Sequence, residues 1–178
     1  MKSLAQTLGM LLIPAAAFCG TELDINGTFA GASADAETAP GWVKNHVKNP
    51  NIGIGSIRQG KDGAATLTVA SKNIPTHFFS RKIHRAKAGD AVRISGTVSG
   101  KGKFCFAIYL RDAKNNYIAM QQGTLRDVPA AKETVVESLK IENMKGKDTA
   151  FIQIVLVAWR FSEVSFENVK AELIPAAQ

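Results

Sequence analysis

Glu22 and Asp24 stand two residues apart near the start of the chain. Cleavage of a glycosidic bond uses two carboxylates, a nucleophile and an acid about 5–5.5 Å apart across the sugar. A Glu-x-Asp-x-x-Glu set of such carboxylates would need a third acid next, but Asn26-Gly27-Thr28 follows, so the pair predicts no catalysis. Cys105 lies between Phe104 and Phe106 with no partner His or Asn in a recognisable motif, which predicts a packed thiol rather than a nucleophile. His46, His77 and His84 fall in different segments and read as singly satisfied or exposed groups, not as a metal site. No Gly-x-Ser-x-Gly elbow, phosphate loop or His-Glu-x-x-His motif occurs, and the expectation is a protein that is not an enzyme.

The charged residues offer different chemistry. Arg81, Lys82, His84, Arg85 and Lys87 lie within seven positions, with further lysines at 101, 103, 145 and 147. Such a run is a solvated face by default, and its functional version is a surface for an anionic glycan or for phosphate groups at a cell surface. Nucleic acid is not expected, because no basic motif is interleaved with aromatics. The 178 residues hold 22 Lys plus Arg against 15 Asp plus Glu. With 46% hydrophobic and 21% charged residues, the chain can bury a core and is not a disordered tail.

Residues 1–19 have the layout of an export signal: Lys2, an apolar run from Leu4 to Pro14, then Ala15, Ala16 and Ala17. The run is shorter than the roughly 20 residues of a membrane span and is broken by Gln6, Gly9 and Pro14. Cleavage after Ala17 or Cys19 gives a secreted or periplasmic protein. Cys19-Gly20 also permits a lipid anchor on Cys19, although Phe18 stands where lipoproteins carry a small residue. Losing 1–19 removes a single charge, that of Lys2, leaving 21 basic and 15 acidic residues and a net +6. Without Cys19, Cys105 is the only thiol and no intramolecular disulfide can form.

The elements that must position these groups read as short strands separated by turn residues, which predicts one all-β sandwich over 20–178. Expected strands are 22–25, 52–59, 64–71, 77–85, 91–99, 103–112, 117–122, 134–141, 150–158 and 164–174, with Lys61-Asp62-Gly63 and Ala113-Lys114-Asn115-Asn116 among the separators. The segment 125–133, holding Pro129, is a short helix or a long loop. Alternation sets Phe104, Phe106, Ile108 and Leu110 against Cys105, Ala107, Tyr109 and Arg111, and Ile152, Ile154, Leu156 and Ala158 against Gln153, Val155, Val157 and Trp159. Each strand thus has an apolar face for the core and a mixed face for the outside.

Asn26-Gly27-Thr28-Phe29 followed by Pro40-Gly41-Trp42 resembles the opening of the jelly-roll carbohydrate-binding modules of the CenC type, which occur beside xylanases and cellulases. Lys87-Ala88-Gly89-Asp90, the strand pair from Ile94 to Asp112, and Phe166-Glu167-Asn168-Val169 are similar in order to later pieces of that family, over about residues 22–175. The resemblance implies a galactose-binding-domain-like jelly roll that binds a polysaccharide in a concave groove or at loop tips. It also implies a structural calcium. Ala30 follows Phe29 where the family has an acidic residue, and Glu167-Asn168 closes the chain, which leaves Glu22 and Glu167 as the surviving metal ligands.

Sugar rings stack their C–H faces on Trp and Tyr, while polar groups at the rim take the hydroxyls. Trp42 is expected in the core. Tyr109 and Trp159 fall on mixed faces, where each is either a groove platform or a packed second layer. With Arg93, Arg111 and Gln153 they form the expected ligand-binding site, and Tyr117, beside a turn, could add a loop-tip contact. The leading expectation is an exported carbohydrate-binding protein that prefers acidic glycans. The alternative is an envelope structural or protein-interaction domain with the same fold.

Overall fold

A computed structural model describes residues 20–45, 49–60 and 65–177. The expected leader over 1–19, Cys19, His46 and the turn at Lys61-Asp62-Gly63 lie outside the described residues. Among the described residues thirteen strands follow one another: β1 Thr21–Glu22, β2 Trp42–Lys44, β3 Ile54–Gln59, β4 Ala65–Ala70, β5 Thr76–Ser80, β6 His84–Arg85, β7 Ala91–Lys101, β8 Lys103–Arg111, β9 Tyr117–Gln122, β10 Arg126–Asp127, β11 Glu133–Lys140, β12 Phe151–Ala158 and β13 Glu163–Ile174. No helix occurs among the described residues.

The strands form two antiparallel sheets. The first has the order β11-β7-β13-β4-β3, with β1 also on β13; the second has the order β10-β8-β12-β5-β2, with β6 on β12 and β9 on β8. The alternation read from the sequence decides what lies between them. Val92, Ile94 and Val98 of β7 and Val164 and Phe166 of β13 meet Phe104, Phe106, Ile108, Leu110, Ile154 and Leu156 of the second sheet, all at most 1% exposed. Phe104, Phe106 and Phe166 close a triangle of ring contacts with centroids 5.8–6.4 Å apart, an arrangement that adds edge-to-face attraction to apolar burial.

Two segments are corrected, and one strand is added. The run 77–85 is two strands, because Ser80 to Ile83 turns and the Arg81 N–H leaves the ladder for the Gly41 carbonyl, 2.6 Å away. The segment 125–133 is neither helix nor free loop. Its β10 pairs Arg126 with Phe104 and Asp127 with Lys103, and the Val128 N–H then donates to the Gly102 carbonyl. Trp42 belongs to a strand, β2, which pairs with β5. It is 1% exposed, as expected of a core residue, and its indole N–H donates to the Asn26 carbonyl at 3.0 Å.

Candidate functional site

The site is built on the outer face of the second sheet, where the odd positions of β8 emerge beside those of β12. Register places Tyr109 directly opposite Gln153 and Arg111 opposite Phe151. On the other side of β12 runs β5, whose Phe78 points into the core and whose His77 and Phe79 therefore turn outward. On the far edge of β8, β9 brings Met120 opposite Tyr109 and Tyr117 opposite Arg111. Together with Lys44 and Asn45 at the end of β2, these side chains enclose a cleft of about 430 Å³. That size lies within the roughly 300–1,000 Å³ of small-ligand sites.

Tyr109 is the hub of the cleft. Its ring meets Phe79 at 5.1 Å, Tyr117 edge-on at 5.4 Å and His77 at 6.4 Å between centroids. Its hydroxyl lies 3.2 Å from His77 Nδ1, and His77 is fixed in turn by Asn45, whose Oδ1 accepts the His77 N–H. Burial, reinforced by Tyr117 and opposed by Arg111, pushes the Tyr109 hydroxyl up to about 12. It is therefore a neutral hydrogen-bonding group at any physiological pH. Tyr117 is half exposed and offers the open ring at the mouth.

Arg111 reaches the cleft with its guanidinium already oriented. Nε donates to Gln153 Oε1 at 2.7 Å and Nη1 to the Asn115 carbonyl at 2.9 Å. Gln153 is 3% exposed and donates to the Ser80 carbonyl at 2.6 Å, so it is a buried bracket rather than a surface contact. Among the described residues no carboxylate lies within 4.0 Å of Arg111, whereas Lys44 is paired with Glu37 at 3.1 Å. A guanidinium without a carboxylate partner, beside aromatic rings, is arranged to meet an acceptor from outside.

Of the five expected contact residues, the structure brings together Tyr109, Arg111 and Gln153. Arg93 is elsewhere: it projects from β7 on the outer face of the first sheet, where it faces Glu172 at 3.8 Å. Trp159 shares the face of Tyr109, with its backbone N–H bonded to the Lys103 carbonyl six residues back along β8. It packs, as Tyr109, Phe79 and Met120 do, on Cys105, Ala107, Val155 and Val157, a small second layer on the outer side of the sheet, and it is not among the residues that line the cleft. Burial pushes the Cys105 thiol up to about 12, aided by the charge of Glu137, as befits a packed side chain.

The sequence reading missed His77, Phe79, Lys44, Asn45 and Met120. Alternation around Phe78 would have put His77 and Phe79 outward, but the pairing of β5 with β12 that brings them beside Tyr109 is not local.

The carboxylates read as calcium ligands do not form one set. Glu22 on β1 faces Glu172, while Glu167 lies five residues further back on β13, beyond a bulge. Burial alone would raise the Glu167 carboxyl, but hydrogen bonds from Lys132 and Thr66 outweigh it and hold the group below its ordinary value. The Lys132 ammonium thus already pairs with the Glu167 carboxylate. Among the described residues no group of three or more His, Cys, Asp or Glu side chains converges as a metal site. The basic run divides as well: Lys82 pairs with Asp24, Arg81 borders the loop before β2, and Arg85 and Lys87 line a shallow depression with Asp90.

No protein-family model matches the chain, and no curated protein sequence matches it. Solved structures do. The CBM22-1 xylan-binding domain from Paenibacillus barcinonensis Xyn10C superposes with a TM-score of 0.53 at 13% identity, covering 80% of this chain and 92% of that one. The CBM22-1 and GH10 modules of Clostridium thermocellum xylanase 10B, complexed with xylohexaose, give 0.53 at 18% identity over 78% of this chain and 28% of that one. A cyclase from Fischerella sp. TAU, bound to 4-(1H-indol-3-yl)butan-2-one, gives 0.59 at 13% identity over 89% and 100%. At these identities the likeness is one of fold: the chain is an all-β jelly-roll sandwich. Among the described residues no helix is long and apolar enough to cross a membrane.

Proposed function

We propose that the protein is an exported, non-catalytic carbohydrate-binding module of the CenC kind. In this reading 1–19 is the signal, 20–178 is the binding domain, the protein is secreted or periplasmic, and the ligand is a short stretch of acidic polysaccharide lying across the Tyr109 cleft. The observation that carries it is Arg111, held by Gln153 beside the rings of Tyr109 and Tyr117 and without a carboxylate partner among the described residues. A sugar ring would stack on Tyr117, and its carboxylate would meet the free Nη2 edge of Arg111.

Among the described residues, those lining the cleft include neither Asp nor Glu, which favours binding over the two-carboxylate chemistry of glycoside hydrolysis. Calorimetry with oligomers of a uronic acid and of neutral xylose, in low and high salt, tests this. Tight, salt-sensitive binding of the acidic oligomers is expected, with Arg111→Gln losing about tenfold or more for them alone, the effect of one charge-assisted hydrogen bond. Absence of binding to every glycan would overturn the proposal in favour of a protein-interaction domain.

A further inference from the structure

At the end of the sandwich away from the Arg111 cleft, the link from β12 to β13 is a turn through Trp159, Arg160, Phe161 and Ser162. Phe161 is 75% exposed, more than any other large apolar side chain described, and its φ of +56° lies in the left-handed region. Both features oppose folding, because the ring stays in water and its Cβ crowds the backbone. Glycine or asparagine would fill this position more comfortably.

The turn is nevertheless held firmly. The Ser162 N–H donates to the Trp159 carbonyl, Phe161 N–H to the Lys72 carbonyl at 2.8 Å, Ser71 N–H to the Ser162 carbonyl at 2.7 Å, and Lys103 N–H to Ser162 Oγ at 2.8 Å. A strained, exposed aromatic fixed by this many bonds is presented, not left over.

Its surroundings indicate what it is presented to. Arg160 and Lys72 are exposed beside it, and the hairpin between β7 and β8 adds Lys101 and Lys103. Glu163 and Asp127 at this end pair with those hairpin lysines at 3.5 and 3.6 Å in largely solvated bridges of little strength. Arg160 has no ion pair among the described residues. Ile54, 55% exposed, extends the apolar surface on the same end of the first sheet, where it faces Ala70 and, beyond it, Glu163.

We infer that this tip is an interfacial anchor for an anionic phospholipid surface. Phe161 enters the boundary between headgroups and acyl chains, while Arg160, Lys72 and the hairpin lysines meet the lipid phosphates. An apolar point within a cationic rim has the chemistry of such a surface, in which apolar insertion and charge attraction act together. Aromatic side chains sit well at that depth. Six residues of strand separate Lys103 from Tyr109, so the anchored molecule holds its cleft roughly 20 Å above the tip, open to a ligand.

Co-sedimentation with phosphatidylglycerol–phosphatidylcholine vesicles, compared with pure phosphatidylcholine vesicles, tests the inference. Wild type binds the anionic vesicles and is released by high salt. Phe161→Asn relieves the left-handed strain, so its melting temperature is unchanged or higher while vesicle partitioning falls at least about tenfold, the effect of withdrawing one aromatic ring. Arg160→Gln with Lys72→Gln lowers partitioning about 25-fold at low salt, from roughly fivefold per cation. Equal binding to both vesicle types, or Phe161→Asn binding as well as wild type, would overturn it. So would capture of a glycan that depends on Phe161 without any vesicle binding. None of these outcomes depends on whether the Tyr109 cleft takes a sugar.

Discussion

Gln153 holds Arg111 by one edge and the backbone by the other: Oε1 accepts the Arg111 Nε–H at 2.7 Å, and Nε2 donates to the Ser80 carbonyl at 2.6 Å. Because Gln153 is almost completely buried, replacing it leaves the Ser80 carbonyl without this partner inside the protein. Gln153→Leu is expected to cost about 1–3 kcal/mol in urea denaturation and to weaken any ligand that needs Arg111. Arg111→Ala should weaken the same ligand while changing stability by roughly 1 kcal/mol or less, since the guanidinium lies at a half-open mouth. Equal losses of stability in the two variants would show that Gln153 is not the bracket.

Gly27 is the second residue of the motif that first suggested the jelly roll, and its role is steric. A Cβ there would collide with the Val169 carbonyl oxygen, where the Val169 N–H also returns a bond to the Gly27 carbonyl. Gly27→Ala must push β13 away from the opening loop, at a cost of about 3 kcal/mol or more, the upper range for overpacking. Thermal unfolding measures it, and a variant as stable as wild type would refute the geometry.

Much of this architecture could be read from the chain, and the misplaced or missed site residues share one cause. Alternation gives the face a residue occupies within its strand, and it placed Tyr109 and Arg111 together outside and Phe104 to Leu110 inside. It does not say to which sheet a strand belongs. Arg93 shows the loss: its side chain points outward as expected, but β7 pairs with β11 and β13, so the whole core lies between Arg93 and Tyr109. The same nonlocality hid His77 and Phe79, which reach the cleft only because β5, distant in sequence, pairs with β12. Segment 125–133 was ambiguous for another reason, since a two-residue strand has no period to read.

Two buried acids make the fold sensitive to alkali. Cys105 and Tyr109 both rise to about 12 in the folded state from ordinary values of 9.0 and 10.0, in each case chiefly through burial. Below pH 9 both groups keep their protons whether the chain is folded or not, and the stability they contribute is fully present. As pH climbs from 9 to 12, the unfolded chain releases protons that the folded one retains, and stability falls. By pH 11 the Cys105 share is on the order of 2 kcal/mol. Guanidinium unfolding between pH 8 and 11.5 should therefore show a decline that flattens in Cys105→Ala from pH 9 and in Tyr109→Phe from pH 10. Identical slopes in all three proteins would contradict both assignments.

Calcium should find little purchase on Glu167. Lys132 already satisfies that carboxylate at 2.7 Å, and Thr66 Oγ1 donates to it as well, so a cation would have to displace an ammonium without help from Glu22. The melting temperature is expected to be the same in EDTA as in millimolar calcium. A calcium-dependent rise that disappears in Glu167→Gln would show that the metal draws the carboxylate off Lys132.

Tyr117 and Trp159 divide the roles that the sequence left open for exposed aromatics. Trp159 lies over Cys105 and Val157 and does not line the cleft, so Trp159→Ala removes packing and is expected to cost about 2 kcal/mol or more while changing glycan affinity less than Tyr117→Ala does. Tyr117, 51% exposed, meets only the edge of the cleft, against the Tyr109 ring. Its truncation to Ala should leave stability within about 1 kcal/mol while removing the open stacking surface, worth roughly tenfold in affinity. Retardation in polysaccharide gels, read beside the urea midpoints, separates the two. If Trp159→Ala abolishes retardation while Tyr117→Ala leaves it intact, the glycan lies at the tip and not against Tyr109.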